Sequence, residues 1–186
     1  MAYVSRAGFK LEHALKTFKL EVGDLVCADF GSSTGGFVDC LLQHGARKVY
    51  AVEKGYGVLD WKLRQDNRVV VMERQNAMHV HLPEQVDLLT IDTSWTKLEK
   101  IVPNALVNLK PRGQLIALLK PHYEAAPNLL RKGKLPAVAL PAVLVETRTK
   151  LAALGLIIVN QVESPIVGAK AANREYLLLL QMVNNQ

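Results

Sequence analysis

Asp29, Gly31, Gly35 and Gly36 fall within eight residues of one another, between two apolar runs, in the stretch VCADFGSSTGGFVDCLL at 26–42. A strand, a glycine turn and a helix in that order make a site for the phosphates or sugar of a nucleotide. Spacing separates the classes. A phosphate-binding loop places a lysine after its last glycine to reach the outer phosphates; Gly31 and Gly36 have the right separation, but the next residue is Phe37. The dinucleotide fingerprint needs a middle glycine where backbone meets pyrophosphate, and that position is Ser33. The turn therefore suits a ligand lacking a pyrophosphate. S-adenosylmethionine is one, and acid, any residue, glycine, then a further glycine is the usual pattern of its turn. The alternative is an ordinary tight strand-to-helix turn.

Three further residues draw interest from where they fall. Glu53, Asp92 and Lys120 each close an apolar run, at 48–53, 86–92 and 113–120. In open α/β sheets ligands bind outside the carboxyl ends of the strands. An acid at Glu53 suits the hydroxyls of a ribose. Asp92 and Lys120 should face one crevice, either as a plain ion pair or as a reacting pair beside a cofactor.

These placements depend on the elements that carry the residues. Strands are expected over 25–30, 48–53, 68–74, 86–92, 113–120, 156–163 and 175–183. Helices are expected from Phe37, over 59–66, over 97–109 with a bend or start near Pro103, and over 140–155 with Gly155 as its cap. KPRG at 110–113 reads as a turn. Near-continuous apolar strands alternating with helices predict a mostly parallel, doubly wound α/β sheet. The last two strands have no helix between them, so an antiparallel strand is expected at or near the edge.

At 186 residues the chain is read as one domain. Cys27 and Cys40 sit in the apolar strand and the following helix, and pack as small hydrophobes, which suits a reducing cytoplasm. No apolar run approaches the roughly 18 residues of a membrane span, and the N-terminus lacks a signal-peptide core. Net charge is +6, compatible with a polyanionic partner, with cations clustered at Arg6, Lys10, Lys16 and Lys19 and again in RKGK at 131–134. Trp61, on an apolar helix face, is expected in the core. Trp95, just past Asp92, is the candidate for stacking on a base. His79 and His81 have no cysteine or second ligand cluster nearby, so no metal is expected.

The segments YVSRAGFKLEHAL, DFGSSTGGFVDCLLQHGARKVYAVEKGYGVLDWKLRQDNRVVVMERQNA, ALLKPHYEA and SPIVGAKAANREYLLLL closely resemble the methyltransferase domain of the hemolysin A (TlyA) family, within the FtsJ-like ribose 2′-O-methyltransferases. The resemblance runs from about residue 3 to 181. It implies a Rossmann-like methyltransferase fold, S-adenosylmethionine as donor and RNA, in particular ribosomal RNA or a ribosomal subunit, as partner. It also implies a Lys-Asp-Lys-Glu tetrad, carried here by Lys10, Asp92, Lys120 and Glu175. The implied cofactor positions are Asp29, Gly31, Ser32, Gly35, Gly36, Phe37, Glu53, Gln75, Asn76 and Asp92. Full-length members usually begin with an S4-type RNA-binding domain; a single methyltransferase domain over 1–186 without that module is the expectation here. DTSWTKL stands where the family pattern resembles DVSFISL, and KGKLPAVALPAV lacks the usual glycine-valine-basic-acid run.

A ribose 2′-hydroxyl is a poor nucleophile until its proton leaves, so the tetrad needs a base or an orienting group. Lys120 can be either: neutral, it takes the proton; charged, it orients the oxygen. Two other functions remain open at this stage. One is a non-catalytic cofactor- or RNA-binding scaffold; the other, suggested by the family name, is a lytic protein acting on membranes.

Overall fold

Five mostly apolar strands lie parallel to one another, as expected of a sheet with helices packed on both faces. The computed structural model describes residues 2–168 and 172–183. Helix α1 (Ala7–Phe18) precedes β1 (Val26–Phe30), α2 (Gly36–Gln43), β2 (Lys48–Glu53), the single-turn α3 (Trp61–Arg64) and β3 (Val69–Glu73). Then come β4 (Val86–Ile91), α4 (Leu98–Val107), β5 (Leu109–Leu119), the short α5 (Pro121–Glu124), α6 (Leu140–Ala153), β6 (Leu156–Glu163) and β7 (Tyr176–Met182). The strand order is β3-β2-β1-β4-β5-β7-β6. β7 runs antiparallel to both neighbours, β5 and β6. The doubly wound expectation holds, with the antiparallel strand one place in from the edge.

Alternation within the apolar runs divides the core in two. Val26, Ala28 and Phe30 of β1 point to the face that also buries Ile101, Val102 and Ala105 of α4. Cys27 points to the opposite face, where Leu11, Ala14, Leu15 and Phe18 of α1 pack with Phe37 and Leu41 of α2. That α1 spacing repeats every three or four residues, which puts the four side chains on one stripe. Both cysteines are free and buried. Burial pushes each thiol up to about 12.

Several boundaries differ from expectation. α4 spans Leu98–Val107 within the expected 97–109, and Pro103 lies inside it, which rules out a start there but not the alternative of a bend. KPRG does not stand before the fifth strand; it loops out within β5, where Val86 pairs with Leu109 but Leu88 pairs with Gln114. Arg112 takes a left-handed φ of 65° in that bulge. The predicted helix over 59–66 shrinks to one turn, and Trp61 is 72% exposed rather than in the core. Leu63 fills the buried place instead. Among the described residues, no helix is long and apolar enough to cross a membrane. Residues 169–171, inside the last family-like segment, lie outside the described residues.

Candidate active site

The chain winds one way from β1 through β2 to β3 and the other way from β4 onward. The carboxyl ends of β1 and β4 therefore part at a topological switch point, where a crevice forms. Gly31 leaves β1 there and Asp92 leaves β4. The Asp92 backbone amide donates to the Phe30 carbonyl (3.0 Å), and those of Gly31 and Ser32 donate to that of Val52 (2.9 and 3.1 Å).

Geometry gives the glycines separate reasons. Gly31 has φ +90°, and a Cβ on it would lie 2.7 Å from the Asp92 carbonyl oxygen. Its bareness is thus demanded by the neighbouring strand end as well as by any ligand. A Cβ on Gly35 (φ +103°) would lie 2.2 Å from Leu63 Cδ1 of α3, and one on Gly36 would lie 2.3 Å from Ser5 Oγ. These two glycines seat α3 and the N-terminal segment against the turn.

Two small pockets flank the turn. One, about 320 Å³, gathers Gly31, Glu53, Gln75, Asn76 and Asp92. Both oxygens of Glu53 already accept backbone amides, from Ser33 (2.9 Å) and Gly55 (2.8 Å), which fixes the carboxylate with a lone pair on each oxygen still free for a diol. The other, about 180 Å³, gathers Asp29, Ser32, Gly36, Phe37, Asp92 and Lys120. Ser32 Oγ is buried there and has no hydrogen-bond partner among the described residues. Phe37 contributes from a core position, 2% exposed. Asp29 is 1% exposed, and its Oδ1 accepts the Thr90 hydroxyl at 2.7 Å. Burial, with Asp92 and Glu53 adding to it and the Thr90 bond opposing, pushes the Asp29 carboxyl up to about 8.

A larger cleft of about 680 Å³ opens on the other side and contains all four residues Lys10, Asp92, Lys120 and Glu175. They form two ion pairs. Lys120 Nζ lies 2.6 Å from Asp92 Oδ1 and also donates to the Thr93 carbonyl at 3.1 Å. Lys10 Nζ lies 2.5 Å from Glu175 Oε2, and both residues are buried. This second pair joins positions 165 residues apart, carried by α1 and by the approach to β7. Asp92 borders the cleft and both small pockets; Lys120 borders the cleft and the smaller pocket. The pair stands where the three spaces meet.

The cleft is cationic at its mouth and aromatic on one wall. Arg6, Lys97 and Lys132 line it. Trp95, 76% exposed, lies against Tyr123 with ring centroids 4.9 Å apart. It holds a left-handed φ of 63°, a backbone state that costs about 1–3 kcal/mol in a bulky residue and marks a constrained site.

Two residues in the cleft escaped the sequence reading. His122 follows Lys120 by two positions; its Nδ1 is buried without a partner among the described residues, and burial holds the imidazole below its ordinary value, with Lys120 acting the same way and Glu175 against it. Asn173 is buried and ties the basic loop to the site, accepting from the Leu135 amide (3.0 Å) and donating to the Gly133 carbonyl (3.0 Å). Closeness to Lys120 and Glu175 was the only signal either gave. Among the described residues no three His, Cys, Asp or Glu side chains gather as metal ligands, His79 and His81 included.

A model of the family described as FtsJ-like methyltransferase matches residues 3–182. A Bacillus subtilis protein assigned provisionally as the rRNA methyltransferase YqxC is 43% identical, over 97% of this chain and 66% of its own length. The 16S/23S rRNA (cytidine-2′-O)-methyltransferase TlyA of Mycobacterium tuberculosis is 39% identical, over 97% of this chain and 69% of its own. The chain thus spans about two thirds of the length of these curated relatives. A solved structure described as a hemolysin, from Streptococcus thermophilus, superposes with a TM-score of 0.94 at 37% identity, covering 99% of this chain and 68% of that one.

Proposed function

This chain belongs to the FtsJ-like methyltransferase family, and from that premise we propose that it transfers the methyl group of S-adenosylmethionine to a ribose 2′-hydroxyl of ribosomal RNA. The observation that carries the reading is the Lys120–Asp92 pair, which borders both the cofactor pockets and the substrate cleft. A ribosomal substrate puts the work in the cytoplasm.

The residues fit the donor. Glu53 would hold its ribose hydroxyls, with Gln75 and Asn76 beside the adenine. Ser32, whose buried hydroxyl lacks a partner among the described residues, would bond the methionine end, and Gly31 leaves the backbone bare. When bound, the donor supplies an electrophilic methyl carbon on a sulfonium. The remaining work falls to the protein. It must hold a hydroxyl in line with that carbon and remove its proton.

A neutral lysine amine has two N–H groups and one lone pair. Here two acceptors, Asp92 Oδ1 and the Thr93 carbonyl, take two N–H bonds. The third position on nitrogen is left for the cleft, and in the neutral amine it is the lone pair that receives the 2′ proton. Lys120 would thus carry the 2′ proton away as that oxygen is methylated. Asp92 positions Lys120. The Lys10–Glu175 pair braces the far wall, with Lys10 available to a neighbouring phosphate. Trp95 on Tyr123 offers the target base a stacking face.

The test is the atom methylated. A 2′-O-methyl group removes the internal nucleophile of RNA, so the adjoining phosphodiester resists alkali, whereas a base methyl leaves it labile. Ribosomal RNA treated with the protein and S-adenosylmethionine should show a discrete gap in its alkaline ladder, absent with Lys120→Ala. Methyl incorporation with a continuous ladder refutes the ribose assignment. No incorporation at all refutes the transferase reading in favour of a binding scaffold.

A further inference from the structure

Two large aromatic side chains stand out of the surface on the opposite flank of the cofactor pockets from the cleft. Tyr56 is 70% exposed and Trp61 is 72% exposed. The segment that bears them is anchored from beneath. Leu59 and Leu63 are buried against Gly35. The Asp60 amide donates to the Thr34 carbonyl (3.0 Å), and its carboxylate accepts from the Lys62 amide (2.9 Å). Glu73 receives both the Arg64 guanidinium and the Val58 amide. The acids of this region are thereby committed to the protein itself.

What is left facing outward is aromatic and positive. Lys54, Lys62 and Arg74 are exposed, and none is in an ion pair among the described residues. The Arg74 guanidinium lies 4.3 Å from the centroid of the Tyr56 ring. A rigid base under solvent-facing rings presents π-faces to a partner with little conformational freedom left to lose on binding. Aromatic faces interleaved with cations that are in no ion pair fit bases and phosphates together, since an open ring face, such as that of Trp61, takes a base by stacking and a cation takes a phosphate. An acidic peptide would use the cations but leave Trp61 without purpose.

We propose that this face, Lys54 to Trp61 with Lys62 and Arg74, is a second RNA contact, stacking unpaired bases of the substrate away from the target nucleotide. The inference rests on the RNA-methyltransferase reading. Lys54 and Arg74 directly follow the ends of β2 and β3, so the face shares the sheet edge onto which the cleft opens. From β2 to β5 is three strand intervals, roughly 15 Å. A few nucleotides of one RNA can bridge that distance.

The experiment compares wild type with Trp61→Ala and with Tyr56→Ala/Arg74→Ala, all exposed positions outside the reacting groups. Filter binding of unfractionated ribosomal RNA at several salt concentrations gives RNA affinity, calorimetry with S-adenosylhomocysteine gives cofactor affinity, and methyl incorporation gives kcat and KM. The expected result is roughly tenfold weaker RNA binding for each stacked ring lost, a matching rise in KM, unchanged kcat and unchanged cofactor affinity. Ultraviolet crosslinking of RNA to a peptide containing Trp61 should accompany it. Unchanged RNA affinity in both variants overturns the proposal, as does an equal loss of cofactor affinity. A change only in self-association or protein binding overturns it too, in favour of a protein interface. If wild type binds RNA through this face but transfers no methyl, the transferase reading falls and the contact stands.

Discussion

Lys120 has three positions on its nitrogen, and two are taken by Asp92 and the Thr93 carbonyl. Lys120→Ala should therefore bind cofactor nearly as well as wild type in calorimetry, yet lose about 10²-fold or more in single-turnover methyl transfer. Lys120→Arg should not restore the rate, because a guanidinium keeps its proton. Lys10 and Glu175 make a different case, since each is buried and each is the other's partner. Lys10→Met alone strands a buried carboxylate and should cost about 3–5 kcal/mol in urea unfolding. The double variant Lys10→Met/Glu175→Leu should recover most of that stability while remaining poorly active, which separates the fold from the chemistry. Asp29 supplies a pH test on the ligand-free protein. Its folded value, pushed up to about 8 mainly by burial, lies above the value near 4 of an unfolded aspartate. Between those two values the folded chain holds a proton that the unfolded chain has lost. Its contribution to stability accordingly declines as pH rises from about 4 to about 8, and is level on either side. Thermal unfolding at pH 5 and pH 8 should show a smaller decline for Asp29→Asn than for wild type.

Helix α4 at the site depends on a cap that comes from elsewhere in the chain. α4 starts after Lys97, which makes no side-chain cap, and its first amide, Leu98 N–H, is instead taken by Glu124 Oε1 at 2.8 Å. Glu124 is buried and belongs to the one-turn α5 directly after Lys120, whose carbonyl accepts the Tyr123 amide at 2.8 Å. One carboxylate thus clamps the start of α4 to the end of β5, across the wall that carries Trp95. Burial pushes this carboxyl up, against the Leu98 bond that lowers it. Glu124→Ala should cost about 1–2 kcal/mol, the range of a lost helix cap. Glu124→Gln, which keeps an acceptor oxygen, should retain most of it in the same chemical-denaturation measurement. Methyl transfer should fall in the same order.

Across the whole molecule, whose net charge is +6, cations stand on both flanks of the proposed cofactor pockets. Arg6, Lys97 and Lys132 line the cleft, while Lys54, Lys62 and Arg74 project on the far side. Contacts of this kind release counterions, so RNA affinity should fall steeply and linearly on a log–log plot against salt. Raising ionic strength should weaken RNA binding well before the thermal midpoint moves. A salt-insensitive complex with a short single-stranded oligonucleotide would contradict that arrangement.

The sequence by itself determined most of the elements and which residues stand at the strand ends that border the crevice. Apolar runs closed by Glu53, Asp92 and Lys120 are local signals, and so is a glycine turn with Phe37 where a phosphate-binding loop needs lysine. Each is written within a few neighbouring residues, at the range over which backbone propensity and side-chain alternation act. Where four residues carried the pattern, as at Trp61, periodicity had too little length to say which side chain would be buried, and Leu63 took the place. Only the tertiary structure decided that β7 inserts between β5 and β6, and that Lys10 finds Glu175 across 165 positions. It alone decided that Gly35 and Gly36 are bare for Leu63 and Ser5. Those outcomes follow from which layers pack together. Strand pairing and buried ion pairs are chosen by the burial they allow once distant segments meet, and no local stretch of sequence encodes that choice.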